Sequence, residues 1–121
     1  MSELESKLSW TFFQEISPTE ELLTLLLPDE TVKTAYKTVR DVAAFTNKRL
    51  IVIDAQGITG RKKEIYSLPY RSINMWSTEN AGTLDLNAEV ELWTRAGHIK
   101  IGLRRDIEVR QFEQLLAEAC L

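Results

Sequence analysis

Chemistry in this chain would have to start from very few residues. His98 is the only histidine and Cys120 the only cysteine among 121 residues. A catalytic or metal-binding histidine needs a nucleophile or further ligands beside it. His98 instead follows the Ala96-Gly97 turn on the polar side of an alternating segment, which fits an exposed structural residue. A reactive thiol needs an electropositive setting, whereas the charged residue nearest Cys120 in sequence is Glu118. Cys120 is therefore expected to be inert and partly buried. Asp85, Glu89 and Glu91 share one side of a strand and could imitate paired catalytic carboxylates. Alternating acids on a solvent-facing strand are the commoner explanation. No Gly-rich phosphate loop precedes a helix, and Gly57-Ile58-Thr59-Gly60 resembles the nucleic-acid clamp of KH domains only as a string, because it lies between strands. No catalytic residue, metal ligand or cofactor is assigned.

Two groups point to binding. Arg61-Lys62-Lys63 is the densest basic run and a candidate site for an anionic partner or headgroup. Strand alternation turns Lys62 away from its neighbours, so the run is not one patch. Charges on an edge that discourage aggregation are the plainer reading. Trp10, Phe12, Phe13 and Ile16, followed by Leu22, Leu25 and Leu26, place many large apolar side chains in a short stretch. Aromatic residues are enriched at interfaces, so these seven form a candidate oligomer interface.

The elements that would position these residues fall into three regions. Residues 1–28 read as a helical extension. Ser2 and Glu5 have capping-box spacing, and Leu4, Leu8 and Phe12 recur near one helical face. Ser17-Pro18-Thr19-Glu20 is a stronger start signal, with Ser17 as cap and Pro18 at the first helical position. The helix from Glu20 to Leu26, stopped by Pro28, is apolar nearly all round, so it needs cover on nearly all sides.

Residues 29–121 read as strands and a final helix. Strands are expected at 32–37, 42–46, 50–53, 60–68, 71–78, 84–92 and 98–104. In the sixth, Leu84, Leu86, Ala88, Val90 and Leu92 alternate with polar residues. Opposite charges on the last two strands would face each other if the strands pair, each pair contributing roughly 0.2–1 kcal/mol. Asp106 would cap a helix over 106–121, with Ile107, Phe112, Leu115, Leu116 and Ala119 facing the sheet. Short strands at such intervals predict a sandwich or barrel, with the amphipathic helix as its plug.

Phe45-Thr46-Asn47-Lys48-Arg49-Leu50-Ile51, Asp54 through Lys62, Leu68-Pro69-Tyr70-Arg71-Ser72-Ile73, Glu79 through Asp85 and Glu91-Leu92-Trp93 together resemble the bacterial pleckstrin-homology-like (PH-like) family, in family order and over nearly the whole chain. The resemblance implies a mainly β fold: a seven-stranded antiparallel curved sheet, or partly open barrel, capped by a C-terminal α-helix and preceded here by the N-terminal helical segment. It also implies a bacterial source, homo-oligomeric rings and no catalytic activity. Eukaryotic namesakes bind phosphoinositides through a long basic loop. The matching connection here, Thr38-Val39-Arg40-Asp41, is short and carries one acid for one base, so that ligand is not expected.

The expected function is a non-enzymatic homo-oligomeric scaffold for protein–protein interaction. The alternative is a module that binds a membrane surface or acidic partner through the basic strand edge. A net charge of −3 argues against nucleic acid. No small-molecule ligand is evident. A single cysteine excludes an internal disulfide and suits a reducing compartment. The longest leucine run, Leu25-Leu26-Leu27, is far short of the ~20 residues a membrane span needs, so a cytoplasmic location is expected.

Overall fold

The computed structural model describes residues 8–80 and 87–121. Its strands are β1 (Leu8–Ile16), β2 (Val32–Thr38), β3 (Val42–Thr46), β4 (Arg49–Gln56), β5 (Lys62–Pro69), β6 (Ile73–Glu79), β7 (Ala88–Thr94) and β8 (Gly97–Leu103). A short helix, α1 (Glu20–Thr24), follows β1, and α2 (Val109–Cys120) follows β8. The strands form one sheet in the order β5-β4-β3-β2-β1-β8-β7-β6. Neighbours are antiparallel except β1 and β8, which run parallel.

This sheet is strongly curled. β1 and β5 are four strands apart in the order, about 19 Å in a flat sheet at the usual spacing. Yet the Trp10 and Tyr66 rings lie 5.5 Å apart, edge to face. A three-residue 3-10 turn, Tyr70–Ser72, links the two edge strands and brings their ends to one corner. The concave face holds the main core, including Trp10, Phe12, Tyr36, Phe45, Val90, Leu92, Ile101 and Leu103. α2 plugs it through Phe112, whose ring meets Phe45 at 5.2 Å, Tyr36 at 5.7 Å and Phe12 at 6.0 Å.

A β-bulge makes one strand serve both faces. In β1, Phe12 pairs with Thr38 but Gln14 pairs with Lys37, leaving Phe13 as the extra residue. An extra residue reverses the alternation beyond it. Trp10 and Phe12 therefore enter the concave core, whereas Ile16 packs against a second core on the convex side. Glu15, directly opposite Tyr36, turns to the concave side. The second core contains Leu22 of α1 against Ala35, Val42, Ala44, Ile51 and Ile53.

Several expectations are corrected. Residues 8–16 form a central strand, so the helical extension over 1–28 does not hold there. Leu8, Trp10 and Phe12 alternate with period two and line the concave core, which outweighs the helical spacing of Leu8 and Phe12. The supposed start at Ser2–Glu5 lies outside the described residues. This added strand brings the count to eight rather than seven. α1 is capped by Thr19, whose Oγ1 accepts from the Leu22 amide at 3.2 Å, not by Ser17. The cap residue of α2 is Glu108, without a side-chain cap bond, not Asp106. Leu84, Asp85 and Leu86 lie outside the described residues.

Candidate interaction surface

The structure divides the predicted interface residues. Trp10, Phe12 and Leu22 are buried within the single chain, so they contribute no free surface. Phe13 is half-buried, with the Arg104 guanidinium 5.2 Å from its ring centre. Ile16, Leu25 and Leu26 are half-buried around the convex core. Around α1 and β5 the exposed aliphatic residues are a different set, Leu23 (48% exposed), Leu27 (52%) and Ile65 (47%), while Val39, Ile58, Met75 and Leu121 are exposed elsewhere. For Leu23 and Leu27 the signal was the segment apolar nearly all round, which one sheet face cannot cover; Ile65 lies on β5 and that segment gave no sign of it.

These three residues sit on a firmly tied frame. Glu30 and Arg49 form a two-pronged ion pair, Nε to Oε2 and Nη2 to Oε1, both at 2.9 Å. Glu30 also accepts from Thr46 Oγ1 at 2.6 Å and from the Leu27 amide at 3.0 Å. These hydrogen bonds, led by that from Arg49, outweigh burial and hold the Glu30 carboxyl down at about 2. Arg49 further donates to the Leu25 carbonyl and to Ser67 Oγ of β5. At the other end, Lys63 Nζ lies 2.8 Å from both Glu21 of α1 and Asp41 of the β2–β3 turn. Ile65 stands between Lys63 and Ser67 on the same convex face. α1 is thus fastened beside β5, an edge strand with β4 as its one neighbour in the sheet.

The basic run is divided by pairing rather than by alternation. Arg61, Lys62 and Lys63 are all exposed, but Lys63 is committed to its two carboxylates. Their hydrogen bonds push its ammonium above its ordinary range. Arg61 and Lys62 alone remain of the anion-binding candidate.

The residues with catalytic types have structural roles. His98 Nε2 lies 2.8 Å from Glu91 Oε1, and its ring stacks on Trp93 at 5.0 Å. Glu91 also faces Lys100 across the β7–β8 ladder. Trp76 donates from Nε1 to Glu113, fastening α2 to β6. Cys120 is half-buried, and burial raises its thiol above the ordinary value. Among the described residues, no group of three or more His, Cys, Asp or Glu is placed to hold a metal ion. No described helix is long and apolar enough to cross a membrane.

Comparison with known proteins agrees with this architecture. Residues 6–120 match the family model described as the bacterial PH domain. The uncharacterized protein YjqA of Bacillus subtilis (strain 168) is 41% identical over 105 residues, 84% of each chain. A DUF1696 family protein with a pleckstrin-homology domain, from Shewanella loihica PV-4, superposes with a TM-score of 0.80 at 34% identity, over 89% of this chain and 97% of that one. A pleckstrin-homology domain from Shewanella amazonensis SB2B gives a TM-score of 0.68 at 37% identity, over 88% and 92%. A curled sheet plugged by its last helix, with a family match along almost its full length, makes this chain a member of the bacterial pleckstrin-homology domain family.

Proposed function

We propose that this chain is a non-enzymatic scaffold that self-associates, with the β5 edge and the neighbouring Leu23, Leu27 and Ile65 as the contact. The observation that carries the reading is their position: three half-exposed aliphatic side chains beside an edge strand. An edge strand offers unpaired backbone groups to another chain, and adjacent apolar area supplies the burial such a contact needs. The interface is smaller than the one expected from sequence and is displaced from Trp10, Phe12 and Leu22 to the outer side of α1. Arg61 and Lys62 at the start of the same edge would set its register or tune its salt dependence. The single, half-buried Cys120 is compatible with a reducing cytoplasm.

Native mass spectrometry at near-physiological salt tests the reading. A single multiple of the 13.9 kDa chain mass is the expected result, falling to the monomer in a Leu23→Glu, Leu27→Glu variant that keeps its circular dichroism. A wild-type monomer, or a variant that stays assembled, would reject this surface.

A further inference from the structure

A groove of about 290 Å³ runs between α2 and the β1–β2 ladder. Four of its lining residues are acidic: Glu15, Asp106, Glu108 and Glu118. All four are exposed, none takes part in an ion pair among the described residues, and no lysine or arginine lines the groove. Lys33 lines the adjoining hollow with Glu118 but forms no ion pair with it.

Acids alone would be an ordinary solvated surface. The second observation is Tyr36. It is 3% exposed, with its ring held by Phe12 at 5.2 Å and Phe112 at 5.7 Å. Its hydroxyl has no hydrogen-bond partner among the described residues, yet no fully enclosed side-chain oxygen or nitrogen lacks one. The hydroxyl must therefore reach solvent, and the opening that Tyr36 lines is this groove. A side chain buried this deeply whose one polar atom has no protein partner among the described residues leaves that atom for a ligand or water, and here it ends in a hollow rimmed by carboxylates. Burial, then Glu15, push the phenol above its ordinary range; its oxygen carries lone pairs that can accept a hydrogen bond.

The chemistry of the rim narrows the ligand. Its acids are not gathered as a metal site; they are distributed along the hollow. That suits a cation whose charges are themselves spread out. Ile107 and Leu115 line the same groove and can cover methylene groups between those charges. We propose that the groove binds a linear aliphatic polyamine, its ammonium groups on the rim carboxylates and one of them donating to the Tyr36 hydroxyl.

The test is a titration of the full chain with spermidine, followed by amide NMR at low salt and at roughly 150 mM salt, where exposed charges are screened beyond about 8 Å. The expected result is saturable binding at both, with shifts concentrated at residues 34–36 and 106–118. Tyr36→Phe keeps the ring and should weaken binding at least threefold. Glu15→Gln with Glu118→Gln, both exposed, should weaken it at least tenfold, while the control Glu89→Gln on β7 leaves it unchanged. Four results would each overturn the proposal: no binding at either salt; shifts spread over every acidic surface; equal displacement by magnesium at matched charge; or unaltered affinity in both the Tyr36 and the double variant. Tighter binding of an oligolysine peptide than of spermidine at this groove would overturn the polyamine assignment in favour of a protein ligand.

Discussion

Glu30 and Arg49 meet in a two-pronged pair whose carboxylate side is fully buried and whose Arg49 side chain is about a quarter exposed. Through it, the segment after α1 is bound to the start of β4, and through Ser67 to β5. Removing one partner of a buried pair leaves the other charge stranded and costs about 3–5 kcal/mol. Arg49→Ala should lose stability of that order in urea unfolding, more than any exposed Lys or Arg of the sheet.

The same pair sets an acid limit. The Glu30 carboxyl sits at about 2 in the folded chain against 4.5 as its ordinary value. A depressed carboxylate stabilises the fold fully above its unfolded value, and that contribution is lost as pH falls towards the folded one. Urea midpoints should fall between about pH 4.5 and 2. Glu30→Gln should be less stable than the parent at pH 7, and the gap should narrow across that window. A gap independent of pH would show that the carboxylate's charge is not what stabilises.

Tyr70 closes the corner between β5 and β6. Its hydroxyl donates towards the Thr46 carbonyl at 2.6 Å and the Arg49 carbonyl at 2.8 Å. Tyr70→Phe keeps the ring and removes a buried hydrogen bond, so a loss of about 1–3 kcal/mol is expected. Thermal melting against the parent measures it.

Beyond the bulge at Phe13, the register matters more than the Phe13 side chain. Phe13→Ala removes a half-buried ring and should cost little more than about 1 kcal/mol. Inserting one residue between Gln14 and Glu15 should be far worse, because the register beyond it slips by one and turns Ile16 into the concave face. Circular dichroism and urea unfolding distinguish the two.

Glutamate substitutions should separate the two kinds of leucine. Leu22→Glu and Phe12→Glu bury a charge where exposure is nil and should unfold the monomer. Ile65→Glu should leave a folded chain, and on the proposed β5 contact sedimentation should show a smaller species than the parent.

Most of the architecture was legible because strand alternation is local. Val42–Thr46 was read with its observed bounds, and β7, β8 and α2 were placed within a few residues. The N-terminus misled for a physical reason. Leu8, Trp10 and Phe12 alternate, but the bulge at Phe13 puts Ile16 on the opposite face, so no single period fits the segment. Its partner β8 lies at the far end of the chain, where no local pattern reveals it. The groove was hidden for the same reason. Glu15 faces Tyr36 only because the bulge reverses it, and α2 supplies the rest. Leu23 and Leu27 were visible as excess apolar surface, yet which leucines stay outside depended on the angle at which Arg49 and Lys63 tie α1 down.

The parallel ladder between β1 and β8 also bears on how the molecule is made. β1 can pair with β2 as soon as residue 38 is available, but its other edge stays open until residues 99–103 have been synthesised. Until then a growing chain carries Trp10 and Phe12 on a half-finished sheet, without β8 beside them or Phe112 above. Closing so long a loop is slow, and unpaired edges with bare aromatic surface attract one another. Final closure therefore waits for β8 and α2, and the period before it, rather than the finished fold, is when this chain is most exposed to misassembly.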